Sequence, residues 1–313
     1  MPLGKRLSPS SAQISEPPVT APEAEFSLFQ AETPRYRFCD MILNSNTYDA
    51  IQDVLTLYRK RELLFGEWGL SLTHKEQNRA GINLYGYPGT GKSMAAHAIA
   101  DQLGRNILTV DYSQIESKYV GETAKNLTAM FDYAKKSGSV IFFDEADALL
   151  SRRVTTMSNS TDVSVNQTRS VLLVLINDYD DLILFASNFI ANYDPAFMRR
   201  ILAHIKFDLP DEAARLRLWQ MHIPQKMPTD ADPAQLAQKY SGISGSDISN
   251  AVLNASLRAA RLNERLVRQA YFEQAITDIL RSKADNEDLA EPESRRVVSE
   301  EYVKQQFGGK LPK

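Results

Sequence analysis

Residues 86–93 read Gly-Tyr-Pro-Gly-Thr-Gly-Lys-Ser and satisfy the pattern G-x-x-x-x-G-K-[S/T] at every fixed position. They follow a short apolar run, residues 81–85, that predicts a strand, and they precede a stretch with helical spacing that ends near Leu103. In this context the glycines let backbone N–H groups surround a polyphosphate, and the helix N-terminus adds partial positive charge. Lys92 is expected to reach the β- and γ-phosphates, and Ser93 to coordinate Mg²⁺. The stretch therefore predicts a nucleoside-triphosphate site.

Composition limits the class of protein. The 313 residues, 43% of them hydrophobic, can bury a core in one large domain and a smaller one. The net charge of −3 argues against a protein whose main task is to hold nucleic acid. Cys39 is the only cysteine, which fits a reducing, cytoplasmic location. No apolar run is long enough for a membrane span. The sequence has no H-E-x-x-H motif, so a fused zinc protease is not expected.

The pattern along the chain predicts four parts. Residues 1–34 are rich in Pro and Ser and read as a disordered arm, and residues 35–209 alternate apolar runs with helical patterns. Residues 210–282 read as four helices, and residues 283–313 as a charged linker with a terminal helix. We expect an α/β fold: a P-loop NTPase domain with a parallel sheet between helices, then a small all-α lid. The predicted strands are residues 82–85, 107–110, 140–143, 182–186 and 203–207.

Polar side chains follow two of these strands. Asp144 and Glu145 come directly after a buried strand, where Asp144 suits the Mg²⁺ shell and Glu145 suits polarisation of the attacking water. Asn188, after the next strand, could hold that water against the γ-phosphate. Residues 144–147 also spell the D-E-A-D of a helicase class. Such helicases need a second nucleotide-fold domain, and only a small helical region follows here.

The order of motifs points to a family. Residues 194–200 read D-P-A-F-M-R-R, after the phosphate loop, the D-E pair and the terminal Asn. Over roughly residues 36–281 the chain resembles the AAA+ ATPases, specifically the AAA clade of ring-forming protein remodellers. The resemblance implies ATP and Mg²⁺ as cofactors and a homo-oligomer, a hexamer, in which Arg199 and Arg200 reach the neighbour's nucleotide. The family's frequent G-R-F-D is absent, so which of the two arginines acts as the finger stays open.

The resemblance also places a pore loop. It assigns the central-pore loop, which grips substrate polypeptide, to Lys118, Tyr119, Val120 and Gly121. From the residues alone, Tyr119 and Val120 would be expected to pack in the core. The polar stretch 151–165 would be a mobile loop and a second pore loop.

The nucleotide-binding set combines the phosphate loop with the predicted lid. Residues 244–248 resemble the family segment G-A-D-I, which faces the base and ribose, and residues 38–42 resemble the segment on the other side of the adenine. The residues expected to bind ATP are Gly86, Pro88, Gly89, Thr90, Gly91, Lys92, Ser93, Met94, Gly245 and Ser246.

The resemblance therefore implies a ring-shaped Mg²⁺-dependent ATPase that remodels, disassembles or unfolds a protein threaded through its pore. No membrane partner is expected and nucleic acid is disfavoured. Three other classes are open: an AAA+ loader acting on nucleic-acid machinery, which does not need a Tyr-Val pore tip, a scaffold whose ATP site only sets assembly, and the helicase considered above. The narrowest hypothesis is a likeness to the ATPases that open HORMA-domain proteins, which would suggest antiviral defence.

Overall fold

The computed structural model describes residues 29–74, 81–110, 122–150, 160–188 and 193–290. Five strands form one sheet: β1 Gly81–Gly86, β2 Ile107–Val110, β3 Val140–Phe143, β4 Ile183–Ser187 and β5 Ile201–Phe207. The helices are α1 Ser45–Arg59, α2 Lys92–Gln102, α3 Glu122–Ser137, α4 Asp147–Leu150, α5 Ser160–Asp178, α6 Pro195–Met198, α7 Glu212–His222, α8 Pro233–Lys239, α9 Gly245–Arg261 and α10 Gln269–Ala290. Three short helical turns, Phe38–Asp40, Glu62–Glu67 and Leu70–Leu72, flank α1.

The sheet is wholly parallel, with strand order β2-β3-β4-β1-β5. All five predicted strands are present, and the predicted α/β class with flanking helices is confirmed. Strands β3 and β4 are buried at every position, which is why they read as unbroken apolar runs in the sequence. Because β1 lies between β4 and β5, the loop after β1 emerges beside the end of β4.

Each face of the sheet has its own hydrophobic core. Alternate residues of β3 divide between the two: Phe143 packs in the cluster under α3 and α5, and Phe142 in the cluster under α1 and α2. This is the two-residue period of a strand with both faces covered. Phe143 stacks on Phe185 of β4 with ring centroids 5.3 Å apart. Such buried aromatic pairs fix the register of the strands that carry the site.

Helix α2 follows the phosphate loop directly and is buried almost all round. Its alanines from Ala95 to Ala100 let it lie close against the sheet, and Ile99 is fully buried. The helix ends before Gly104, whose φ of +68° is the left-handed conformation that stops helices. The alanine-rich sequence therefore holds the N-terminus of α2 rigidly at the end of β1.

The helical region, α7 to α10, has a separate core around Trp219 and Phe272. Side chains cap three of its helices: Asp211 accepts from the N–H of Ala214, Asp232 from that of Ala234, and Ser244 from that of Asp247. These caps explain why the helices begin where the sequence changes from Pro and Gly to apolar spacing.

The structure differs from the sequence prediction at three boundaries. Helix α10 continues to Ala290 through residues predicted as a linker, because their charged side chains are compatible with a solvated helix. Helix α5 begins at Ser160, inside the stretch predicted as a loop. Glu32, in the predicted arm, exchanges two backbone hydrogen bonds with Ile107, of 2.8 and 2.9 Å. Among the described helices, none is both long and apolar enough to cross a membrane.

Candidate nucleotide site

The phosphate loop requires glycine where it leaves β1. Gly86 has φ +140°, and a Cβ there would lie 2.1 Å from the carbonyl oxygen of Phe207 on β5. Gly91 has φ +96° and forms the N-cap of α2. The chain therefore turns sharply at the carboxyl edge of the sheet and enters α2 with its first backbone N–H groups free of helical partners. Those groups are the anion-binding element that the motif predicts.

Lys92 is buried at the first position of α2. Its Nζ donates to the carbonyl oxygens of Gly86 and Tyr87, both at 2.8 Å, and to Oδ1 of Asn188 at 2.9 Å. Burial lowers the pKa of Lys92, and the nearby carboxylates of Asp144 and Asp147 oppose that shift. All three acceptors are neutral oxygens, so a polyphosphate oxygen would be a stronger partner for this ammonium group.

Ser93 and Asp144 meet across the cleft although 51 residues separate them in the chain. The Ser93 hydroxyl donates to Oδ2 of Asp144 at 2.9 Å. The other carboxylate oxygen, Oδ1, accepts from the N–H of Glu145 at 2.9 Å, which orients the group. Hydroxyl and carboxylate oxygens side by side beneath a phosphate loop are the hard ligands that Mg²⁺ binds with few protein contacts. The residues present therefore fit the expected ion.

Glu145 lies at the mouth of the cleft and has a strained backbone conformation. Its φ of +50° is uncommon for a residue with a side chain, and such strain is found at functional sites. Its side chain is exposed and, within the described parts of the chain, has no hydrogen bond or ion pair. A carboxylate held in this way is available to a water molecule in the cleft.

Asp147 contacts the cleft residue Asn188, and the sequence analysis assigned it no role. Its Oδ2 accepts from the backbone N–H of Asn188 at 3.0 Å, and the N–H of Ala146 donates to the carbonyl of Ala186 at 2.8 Å. These two contacts tie the turn after β3 to the end of β4. The signal in the sequence was the third carboxylate of the D-E-A-D run, which was considered only as a helicase motif.

The cleft itself has a volume of about 470 Å³. It unites the predicted residues Pro88, Gly89, Thr90, Gly91, Lys92, Ser93, Met94, Asp144, Glu145, Asn188, Gly245 and Ser246. Residues 40–42 line it as well, and Leu218, Met221, His222 and Ser249 from α7 and α9 were missed. The missed residues stand inside helical patterns, where nothing distinguishes a cleft position from a core position.

Arg199 and Arg200 lie at the opposite edge of the sheet. They immediately precede Ile201, which pairs with Gly81 at the start of β1, whereas the phosphate loop begins at Gly86, which pairs with Phe207. Five residues of parallel strand span about 17 Å. The arginines are therefore at the amino edge of the sheet, and the cleft of the same chain is at the carboxyl edge.

The two arginines have different environments. Arg200 donates from Nε to Oδ1 of Asn177 and from Nη1 to the carbonyl of Ala196, both at 2.7 Å. Arg199 is exposed, and within the described residues its guanidinium has no hydrogen bond or ion pair. Among the described residues, Arg200 is thus fixed to its own chain, whereas the guanidinium of Arg199 is not.

The predicted pore loops lie outside the described residues. Lys118, Tyr119, Val120 and Gly121 fall within residues 111–121, and most of the second predicted loop falls within residues 151–159. Their assignment stays a prediction.

Comparison with known proteins agrees with the geometry of the cleft. Residues 82–209 match the model of the "ATPase family associated with various cellular activities (AAA)". The proteasome-activating nucleotidase of Archaeoglobus fulgidus is 32% identical over 249 residues, which are 77% of this chain and 61% of that protein. The 26S proteasome subunit RPT4 of Saccharomyces cerevisiae is 36% identical over 189 residues, 58% of this chain and 43% of that subunit.

The ATP-dependent zinc metalloprotease FtsH of Helicobacter felis is 28% identical over 281 residues, 87% of this chain and 43% of that protein. The chain thus spans between 43% and 61% of the length of these relatives. Residues 82–209 include the phosphate loop, Asp144, Glu145 and Asn188, and also Arg199 and Arg200. The match shows an AAA ATPase domain at residues 82–209, related to the domains of the proteasomal ATPases and FtsH, and such a domain indicates ATP hydrolysis.

Proposed function

We propose that this chain hydrolyses ATP with Mg²⁺ in a homo-hexameric ring and remodels a protein substrate drawn through the central pore. The observation that carries the proposal is the position of Arg199 and Arg200 at the amino edge of the sheet, about 17 Å from the cleft of their own chain. An arginine that cannot reach its own cleft can complete that of a neighbour. Repeated head-to-tail contacts of this kind form a ring when the rotation between neighbours closes.

Each chain would supply most of one site. Lys92 binds the β- and γ-phosphates, while Ser93 and Asp144 hold the metal ion. Mg²⁺ bound there would neutralise charge on the phosphates. Glu145 accepts a proton from the attacking water, and Asn188, held by Lys92 and Asp147, keeps that water beside the γ-phosphate.

The neighbouring chain would supply Arg199. Its guanidinium is exposed and unpaired among the described residues, so it can approach a second chain without breaking existing bonds. Arg200 instead donates hydrogen bonds to Asn177 and Ala196, which hold the chain just before β5 and so fix the direction of Arg199. A guanidinium supplied in trans stabilises transition-state charge and is worth about 10³–10⁵ in rate.

Protein substrate would be gripped by Tyr119 and Val120. They stand in the sequence between β2 and α3, the place of the pore loop in the resembling family, and the names of two relatives refer to the proteasome. The aromatic side chain of Tyr119 and the branched side chain of Val120 can insert between the side chains of an extended polypeptide without recognising a particular sequence.

Relative motion of two domains would move the pore loop. We assign residues 35–209 to the large ATPase domain and residues 210–282 to a helical lid. The cleft is lined by both parts, through the phosphate loop on one side and α7 and α9 on the other. Loss of the γ-phosphate would therefore change how the lid sits against the sheet, and rigid-body tilting would move the pore loop.

The test is capture of a client by a trapped ring. Glu145→Gln should retain ATP without hydrolysis and hold its substrate, so affinity capture from host lysate with ATP is compared with Glu145→Gln/Tyr119→Ala. The matched control is Glu145→Gln/Tyr48→Ala, since Tyr48 is an exposed tyrosine on α1. We expect a protein that is captured by the first and third variants and lost from the second. Nucleic-acid machinery captured equally by all three would overturn threading and favour the loader.

A further inference from the structure

Helix α9 begins in direct contact with the phosphate loop. The backbone N–H of Ser246 donates to the carbonyl of Gly89 at 3.2 Å. The approach is so close that a Cβ on Gly89 would lie 2.7 Å from Oγ of Ser244. Gly245, Ser246 and Ser249 line the cleft from this helix. Whatever fixes the first turn of α9 therefore also fixes one wall of the nucleotide site.

A buried carboxylate at the third position of α9 organises this turn. Asp247 is 6% exposed and accepts from the backbone N–H of Ser244 at 2.7 Å and from its hydroxyl at 2.8 Å. The Ser244 side chain in return accepts from the N–H of Asp247. This reciprocal capping box satisfies the helix terminus, and the helix dipole favours the negative charge there.

A lysine from a distant helix completes the network. Lys283 on α10 donates from Nζ to Oδ2 of Asp247 at 2.5 Å. Its side chain is 42% exposed, while that of Asp247 is 9% exposed, so the contact runs from the surface into the buried cap. One carboxylate oxygen thus receives the Lys283 ammonium and both donors of Ser244. Because the carboxylate is buried, this charge-assisted contact costs more to break than a pair in which both side chains are exposed.

We propose that Lys283 is a positioning residue for the nucleotide: through Asp247 it holds the first turn of α9 against Gly89. A capping box alone is made within one helix and does not fix where that helix lies. The Lys283 contact joins the turn to α10, 36 residues away, and so fixes its position in the lid. This inference rests on the proposed contact of Gly245 and Ser246 with the nucleotide, and it concerns affinity rather than threading.

The test is equilibrium binding of a fluorescent ADP analogue, with steady-state ATPase kinetics, on Lys283→Met. We expect nucleotide affinity to fall about tenfold, with the KM for ATP rising in proportion and kcat changing by less than about twofold. Lys283→Arg keeps the charge and should restore affinity. The control is Lys239→Met, which removes a lysine paired at 2.7 Å with Glu273, ten residues before Lys283 on the same helix. It should leave affinity unchanged.

Asp247→Asn separates the possible outcomes. In that background Lys283→Met should have little further effect, because both act through one contact. Weaker binding in Asp247→Asn with normal binding in Lys283→Met would overturn the role of Lys283 but keep the lid contact. Normal nucleotide affinity in both variants would overturn the lid contact itself. An equal loss of affinity in Lys239→Met and Lys283→Met would mean that the effect comes from lower stability of the lid, and would overturn the positioning role. The binding assay does not depend on capture of a protein substrate, so it remains valid if the threading proposal is wrong.

Discussion

Replacement of Arg199 by Ala separates a site within one chain from a site shared by two. Across about 17 Å of strand, a unit charge pair interacts by about 0.2 kcal/mol in water and about 1 kcal/mol at an effective dielectric constant of 20. An effect of Arg199 on its own chain would therefore be at most about fivefold in rate. Contact with a neighbour's transition state predicts a loss of about 10³–10⁵.

The assay is ATP hydrolysis by variants, alone and mixed. Arg199→Ala and Lys92→Ala should each be inactive, but a 1:1 mixture places some Arg199→Ala sites beside an intact Arg199. Random assortment completes about a quarter of the sites, since each needs Lys92 from one chain and Arg199 from the next. The control mixture pairs Lys92→Ala with Lys92→Ala/Arg199→Ala, which cannot complete any site and should show no recovery.

Two results would refute the reasoning. A loss of fivefold or less in Arg199→Ala would mean that the guanidinium does not contact a transition state. Equal inactivity of both mixtures, with subunit exchange verified by labelled chains, would mean that Lys92 and Arg199 do not act across an interface. If Arg200→Ala alone gave the large loss and the recovery, the assignment of the two arginines would be reversed.

The remaining predictions concern stability. Gly86→Ala would place its Cβ against the Phe207 carbonyl and should cost at least about 3 kcal/mol, lowering Tm by roughly 6–12 °C. Gly104→Ala, whose Cβ meets nothing within 4 Å at φ +68°, should cost about 1 kcal/mol, so equal losses in the two variants would contradict the role of the close approach. Burial lowers the pKa of His97, His204 and His222. Because the unfolded chain then binds more protons, Tm should be level above about pH 6.5 and fall below it. In His97→Gln, Tm should fall less steeply as the pH is lowered. If calorimetry shows the same dependence of Tm on pH between 6.5 and 5.5 in the variant, the burial argument is contradicted.

Most of the sheet could be predicted because each strand is a local pattern. The runs around Phe142 and Phe185 are apolar on both faces, and their lengths and order are visible in the sequence. The boundary errors arose where composition was a weak guide. Residues 283–290 carry the charges of a linker, yet one of them, Lys283, is held by a contact with Asp247 that no local pattern announces.

The phosphate loop and the carboxylates of the cleft could be proposed from the sequence for a related reason. A phosphate loop works through backbone groups of neighbouring residues, so its requirement for glycine, lysine and serine is written at fixed spacing from Gly86 to Ser93. The carboxylates after β3 were found because parallel strands deliver their ends to one edge of the sheet.

The amino-acid sequence by itself therefore determined features whose physics is local: the strands, most of the helices and the phosphate loop. The folded chain added the contacts between distant segments, whose energy belongs to neither segment alone. Arg199 and Arg200 are equivalent as sequence, and they differ because Asn177 lies beside Arg200 and because their turn stands at the amino edge of the sheet. The link from Lys283 to the phosphate loop exists for the same reason, since packing of α9 on α10 brings the lysine to the buried carboxylate of Asp247.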